Sequence, residues 1–265
     1  MKLGFIGAGN MARAIINGLI AEQKISGEDV YIHSAHKSSY ESYAKEKGLN
    51  PCESNSDVVK NAEIVFLAVK PIVSKDVLEE VSTEFERKNP VLVSMVTGVS
   101  IAELADALNF PAAKIIRIMP NVNVEIGEGM TALKAGKKVT ETEFSEVTDL
   151  FDSIGKTTEM EEKDFSTFVA LAGSSPAYVY LFIDAMSRSG VKYGLSKRQA
   201  TEIAAQAVLG SALKVLEASK SPMDLVDDVC SPGGTTVAGL LAMEEYGFTT
   251  SVIKGLDATV AKDKK

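Results

Sequence analysis

The chain has 265 residues, of which 45% are apolar and 24% charged, and a formal net charge of −8. That length admits two domains of roughly 150 residues each, and the composition is that of an ordinary globule. The acidic balance disfavours nucleic acid and anionic membranes as partners. No uninterrupted apolar run approaches the ~20 residues of a membrane span. No signal-peptide core precedes the first glycines, so the cytoplasm is the expected compartment. Cys52 and Cys230 are far apart and lack metal-ligand spacing, so no metal is expected.

Leu3 to Ile6 is a short apolar run of strand type. Gly7-Ala8-Gly9 breaks it, and Asn10 to Ile20 then carries Met11, Ile15, Ile16, Leu19 and Ile20 at helical spacing. Gly7-x-Gly9-x-x-Ala12 therefore sits between a strand and a helix, the setting a dinucleotide fingerprint requires. Gly7 permits the tight turn, Gly9 leaves room for a pyrophosphate, and Ala12 lets the helix pack closely. The first N–H groups of the helix face the anion. Any glycine turn reads this way in isolation; the flanking strand and helix favour the cofactor.

Val30 to Ser34 is the second strand. An NAD site usually places an acid at its end, for the ribose 2′-OH. Here Ser34, His36 and Lys37 stand instead, groups that suit a 2′-phosphate and hence NADPH, with NADH as the other option. Ser38 to Lys47 reads as a polar helix, Asn50 to Asn55 as a loop, and Asn55 as a cap for a short helix at Ser56 to Lys60. Ala62 to Ala68 is a continuous apolar strand for a sheet covered on both faces. It ends at Val69-Lys70-Pro71. Lys70 is there either a cofactor contact or a surface lysine before a helix-starting proline.

Val77, Leu78, Val81 and Phe85 mark a helix, and Val91 to Val96 a strand. Ser100-x-x-Glu103 is a capping box. Lys114 to Met119 is a strand, followed by Asn121 as a turn residue or a ligand contact. Gly129 to Leu133 reads as an edge strand, Thr140-x-x-Glu143 as a second capping box, and Lys156 to Met160 as a return to the sheet. Alternating strands and helices give an α/β fold, with a Rossmann-like, doubly wound, mostly parallel sheet over residues 1–160.

From Glu161 onward the pattern is helical, so residues 161–265 form an all-helical C-terminal domain. Ala172 to Pro176 reads as a small-residue hinge, with proline in the first turn of a helix. Ala177 to Met186 is apolar nearly all round, the mark of a helix buried on every side. Ser196-x-x-Gln199 opens an alanine-rich helix to Leu216, and Ser221-Pro222 opens a short one bearing Asp224, Asp227 and Asp228. So much apolar helix suggests a homodimer through this domain. Ser231-Pro232-Gly233-Gly234-Thr235-Thr236 is a second glycine-rich loop before a helix. It suits a substrate carboxylate or is an ordinary turn.

The only histidines, His33 and His36, lie at the adenosine end of the expected cofactor. A ketone or hydroxy-acid dehydrogenase needs a general acid or base at the carbonyl. An imine arrives already protonated, and its reduction requires chiefly orientation and exclusion of water.

Four stretches resemble the pyrroline-5-carboxylate reductase family: Gly4 to Ala12, Phe66 to Pro71, Gly173 to Tyr178 and Ser231 to Thr236, the last the most specific. The resemblance spans essentially the whole chain. It implies reduction of the cyclic imine 1-pyrroline-5-carboxylate to L-proline by NAD(P)H, the final step of proline biosynthesis. It implies cofactor contacts at Ile6, Gly7, Ala8, Gly9, Asn10, Met11, Ser34, Asn55, Ala68, Val69, Lys70, Pro71, Met95, Val96 and Thr97. The substrate carboxylate would lie on Ser231, Gly233, Gly234, Thr235 and Thr236, with the catalytic Thr236 hydroxyl near the ring nitrogen. Glu162 is implied to reach the substrate, unless it is a solvated helix-start residue. Interlocked dimers, often five in a ring, are implied as the assembly. Asp228, Ala170 and Ala172 depart from residues common in the family. The rival readings are an NADP-dependent 3-hydroxyacid dehydrogenase and a non-enzymatic NADPH sensor.

Overall fold

The structure, a computed structural model, describes residues 1–263. Its centre is an eight-stranded sheet: β1 (Leu3–Ile6), β2 (Val30–His33), β3 (Asn50–Pro51), β4 (Ile64–Leu67), β5 (Val91–Ser94), β6 (Lys114–Met119), β7 (Gly129–Ala135) and β8 (Gly155–Glu159). The spatial order is β3-β2-β1-β4-β5-β6-β7-β8. The register runs parallel from Leu3↔Val30 and Leu3↔Ile64 through Val91↔Lys114. Among the described residues only β6 and β7 pair antiparallel, with Ile118 opposite Leu133. β7 then pairs parallel with β8, so Gly129 to Leu133 is an inner strand and not the edge expected from its sequence.

Every residue of β1, β4 and β5 is buried, as a sheet covered on both faces demands. Alternate side chains feed opposite faces. Leu3, Phe5, Ile64 and Phe66 join Ile15, Ile16 and Leu19 of α1 (Asn10–Ala21) and Leu150 and Phe151 of α6 (Glu141–Asp152). Ile6, Val65, Leu67 and Leu92 face Leu78, Val81 and Phe85 of α4 (Pro71–Lys88) and Leu104 of α5 (Ile101–Ala107). Phe5 and Phe66 stack across adjacent strands with ring centroids 4.5 Å apart.

Side-chain capping sets the starts of α5 and α6 and of the helices Asn55–Asn61, Lys197–Glu217 and Pro222–Val229. Ser100 with Glu103 and Thr140 with Glu143 form the expected boxes. α2 is shorter than its sequence suggests, Glu41–Lys47 after a 3₁₀ turn at Lys37–Ser39. α3 (Asn55–Asn61) is capped by Ser54, whose hydroxyl accepts from Asp57 N at 3.1 Å. Asn55 is therefore inside the helix and not its cap.

Phe165 and Phe168 of α7 (Phe165–Phe168) are buried with Met119 and Ala132. The first compact unit consequently runs on to Ser174, where the sequence places a boundary at 160; it also takes in the chain from Thr259. The expected hinge is a π-helical turn, Val169–Gly173, closed by Ser174 N to Val169 O at 2.8 Å. The Asn121 side chain donates to Ala172 O at 3.1 Å, and its carbonyl accepts from Asn123 N and Met130 N.

The second unit, Ser175–Ala258, is helical: α8 (Ser175–Lys192), α9 (Lys197–Glu217), α10 (Pro222–Val229), α11 (Thr235–Glu245) and the part of α12 (Phe248–Asp263) up to Ala258. Ser196 caps α9 through Gln199 N, but Gln199 does not return the bond, so this is half a box. Ser221 and Asp224 complete a full one. Lys220 pairs with Asp228 at 2.6 Å. α8 is not enclosed as its sequence suggests: Tyr180 is 58% exposed and Leu181 69%. Leu216, Leu241 and Tyr246 are exposed as well. The helical stretch Glu162–Lys192 is also long and apolar enough, by length and composition, to cross a membrane. That exceeds the expectation from contiguous apolar runs, since a few polar residues interrupt them. α12 ends at Asp263, and the last two lysines lie outside the described residues.

Candidate active site

The chain reverses its winding direction between β1 and β4, and ligands of open α/β sheets bind at the carboxyl ends of strands at such a switch point. Gly7 turns there with φ +106, and a Cβ on it would lie 2.3 Å from Ala68 O. The glycine thus lets the β1–α1 loop lie against the end of β4. Gly9 contrasts with it: a Cβ there would meet nothing within 4 Å. Gly9 is the exposed N-cap of α1, which has no side-chain cap and no acid in its first turn. The first N–H groups of α1 are thereby left for an outside acceptor. These features fit a dinucleotide pyrophosphate.

Around the crevice, Ile6 and Ala8 are buried, Asn10 is exposed and Met11 is half-buried. Lys70 is the exposed N-cap of α4, before Pro71, and its ammonium has no partner among the described residues. Ala68 and Val69 are half-buried beside it. Met95 follows β5, bonded through N to Leu67 O at 3.3 Å, with Val96 buried and Thr97 exposed.

At the end of β2, His33 Nδ1 lies 2.7 Å from Asn55 Oδ1, while Asn55 Nδ2 donates to Glu80 Oε2 at 3.0 Å. The Asn55 amide is used at both ends. Ser34 is half-buried and His36 exposed. Lys37 sits against Glu53 at 3.0 Å and Glu41 at 3.5 Å, and the Glu53 carboxylate raises its ammonium above the usual lysine range. In this structure the Lys37 ammonium, expected to suit a 2′-phosphate, is paired with two exposed carboxylates.

The residues that sequence reasoning missed are two arginines. Arg13 reaches across to the 3₁₀ turn after β2, donating to Ala8 O at 3.0 Å and to Ser39 O. Arg117, in the buried strand β6, pairs with Glu162 at 3.0 Å and lies over the Phe165 ring at 4.6 Å. Glu162 Oε1 also accepts from Ile101 N at 2.9 Å. Glu162 is therefore committed to β6 and α5, not exposed as a free acid. The signal for it was a charge set among apolar residues in the run Ile115 to Met119, since a buried arginine requires a partner.

In the helical unit, α11 resembles α1. Its N-cap is Gly234, with no side-chain cap and no acid in the first turn. Thr235 and Thr236 are helical residues, not caps. The Gly234 N–H turns inward to Ser231 O at 2.9 Å, so that amide is not presented to an anion. Ser231, Gly233, Thr235 and Thr236 are exposed. Thr236 and Cys230 line a cavity of about 910 Å³ whose walls include Gly210, Lys214, Leu225 and Leu240.

Residues 162–265 match the family model described as pyrroline-5-carboxylate reductase dimerisation. Residues 2–98 match one described as NADP oxidoreductase coenzyme F420-dependent. The chain is 38% identical over 264 residues to the pyrroline-5-carboxylate reductase of Escherichia coli strain K12, covering 100% of this chain and 97% of that one. Against human pyrroline-5-carboxylate reductase 2 the identity is 34% over 268 residues, covering 100% and 83%. Among solved structures, the Plasmodium falciparum pyrroline carboxylate reductase with NADP bound superposes with a TM-score of 0.90 at 32% identity, covering 100% and 97%. The Streptococcus pyogenes 1-pyrroline-5-carboxylate reductase gives 0.90 at 40%, covering 100% and 98%. A glycine-turned crevice, a dimerisation unit and identity sustained over the whole length place this chain in the pyrroline-5-carboxylate reductase family.

Proposed function

We propose that this protein reduces 1-pyrroline-5-carboxylate to L-proline with NADPH, completing proline synthesis. One observation carries the reading beyond likeness. α1 and α11, one in each unit, both start on a glycine without a capping side chain. In contrast, α3, α5, α6, α9 and α10 each begin on a Ser or Thr that bonds their own N–H groups. α2, α4 and α7 also lack a capping side chain, but they start on Tyr40, Lys70 and Asp164; at α1 and α11 the glycine leaves room for an anion against the first N–H groups.

The first N–H groups of α1 hold the cofactor pyrophosphate, with Ser34 and His36 at the adenosine end. Ala68 to Pro71 and Met95 to Thr97 line the nicotinamide end. Bound NADPH supplies the hydride that the imine carbon accepts. In the helical unit, the N–H groups of Thr235 and Thr236 and the Ser231 hydroxyl hold the substrate carboxylate. Thr236 orients the ring nitrogen, which already carries its proton as an iminium. No histidine is needed there, and the helical unit has none. The exposed apolar faces of α8, α9 and α11 are covered by a second copy, with five dimers in a ring as the larger assembly and the cytoplasm as the compartment.

The test is loss of the nicotinamide absorbance when protein, NADPH and the racemic pyrroline acid are mixed. Turnover of a 3-hydroxy acid with NADP⁺, and none of the imine, would replace this reading with the dehydrogenase one.

A further inference from the structure

We infer that Arg13, and not Lys37, makes the cofactor site select a 2′-phosphate; the inference rests on the NADPH reading above. Arg13 is the residue after Ala12 of the glycine fingerprint, one turn into α1. Its Nε–H donates to Ala8 O at 3.0 Å, inside the glycine loop. An Nη2 hydrogen donates to Ser39 O, in the turn that follows Ser34 and His36. The guanidinium thus spans the two loops at the carboxyl ends of β1 and β2, where a bound ribose presents its 2′ position.

The group is held rigid. It lies over the Tyr43 ring at 4.8 Å, and the Tyr43 hydroxyl is itself fixed by Asn17 Oδ1 at 2.9 Å. Two of the five N–H donors of the guanidinium are engaged, which leaves three. Both acceptors are neutral carbonyls, and among the described residues Arg13 pairs with no carboxylate. Its charge is uncompensated within the protein. Lys37 is the opposite case: Glu53 and Glu41 already neutralise it. A phosphate monoester near neutral pH carries close to two negative charges, and a planar guanidinium binds it bidentately. Of these two cations, Arg13 has both the free charge and the free donors.

The probes are 2′,5′-ADP and 5′-AMP, which differ only in the 2′-phosphate, titrated calorimetrically into the full-length protein. The wild type is expected to bind 2′,5′-ADP at least about tenfold tighter. Arg13→Met is expected to lose about tenfold or more for 2′,5′-ADP, the loss of a charge-assisted pair. It should change 5′-AMP binding less than about threefold. Arg13→Lys keeps most of the preference, because the charge remains. Lys37→Gln moves the ratio by less than about twofold, the size of an exposed ion-pair effect. Retained 5′-AMP binding certifies the fold, and Arg13→Gln, which can still donate to Ala8 O, repeats the test should Arg13→Met not fold. Equal losses for both nucleotides make Arg13 a loop strut and overturn the inference, as does an unchanged ratio. A wild type that does not distinguish the two nucleotides overturns the NADPH reading as well.

Discussion

Arg117 Nη1 and Glu162 Oε1 stand 3.0 Å apart, and the same carboxylate oxygen takes the Ile101 N–H at 2.9 Å. One side chain thereby ties β6, the start of α5 and the entry to α7. Arg117 Nε has no acceptor among the described residues, so Glu162 is its counter-charge within the protein. Glu162→Ala should cost about 2 kcal/mol in urea unfolding, because it strands a buried guanidinium. Adding Arg117→Met should cost less than the sum of the two single changes. If Glu162 instead serves the substrate, Glu162→Ala will raise KM and leave the unfolding midpoint in place.

The two glycines of the fingerprint answer different demands, and alanine separates them. Gly7→Ala drives a Cβ into Ala68 O and forces alanine to a positive φ. It should destabilise the protein by about 3 kcal/mol or more. Gly9→Ala meets no protein atom, and φ there is −73. Stability should stay within about 0.5 kcal/mol, while the Kd for NADPH rises at least about tenfold as the methyl takes the pyrophosphate's space. Thermal unfolding and a fluorescence titration on each variant check both halves.

Thr236→Ala should lower kcat/KM for the imine by about a hundredfold and leave the NADPH Kd unchanged. Thr236→Ser should restore most of the activity. Loss of NADPH binding in Thr236→Ala, or full activity, would remove the hydroxyl from the site.

Lys197 and Arg188 hold the Asp184 carboxyl down at about 2, against an ordinary 3.8. A depressed value means that the pairing stabilises the fold above the ordinary value and is lost as pH falls toward the folded one. Asp184→Asn should therefore be the less stable protein near neutrality, with the gap closing between about pH 4 and pH 2. Added salt should shrink the gap, since all three groups are exposed. Urea melts across that range, with and without salt, are the measurement.

Strand and helix identity was legible wherever one local rule decided it. Continuous apolar runs gave β1, β4 and β5, and serine or threonine three residues before an acid gave the starts of α5 and α6. What failed depended on a distant partner. Gly129 to Leu133 looks like an edge because the sequence shows that Lys156 to Met160 returns to the sheet but not that it pairs beside β7. Asn55 looks like a cap, but Ser54 wins that role and frees Asn55 for His33 and Glu80. Ala177 to Met186 reads as enclosed on all sides, which one chain does not provide. In the site, the glycine loops were legible because their backbone demand is local. Arg13, Arg117 and the committed state of Lys37 were not, since each is defined by what lies across a loop.

Both borders of the sheet are poor templates for growth. At one end β3 has two residues, and Pro51 brings no N–H to a further strand. At the other, β8 carries Lys156 and Glu159, both exposed, whose charges discourage an added ribbon. Edge-to-edge strand addition into filaments is thereby discouraged at both ends. A high local concentration of this protein should therefore not yield fibres built by strand addition.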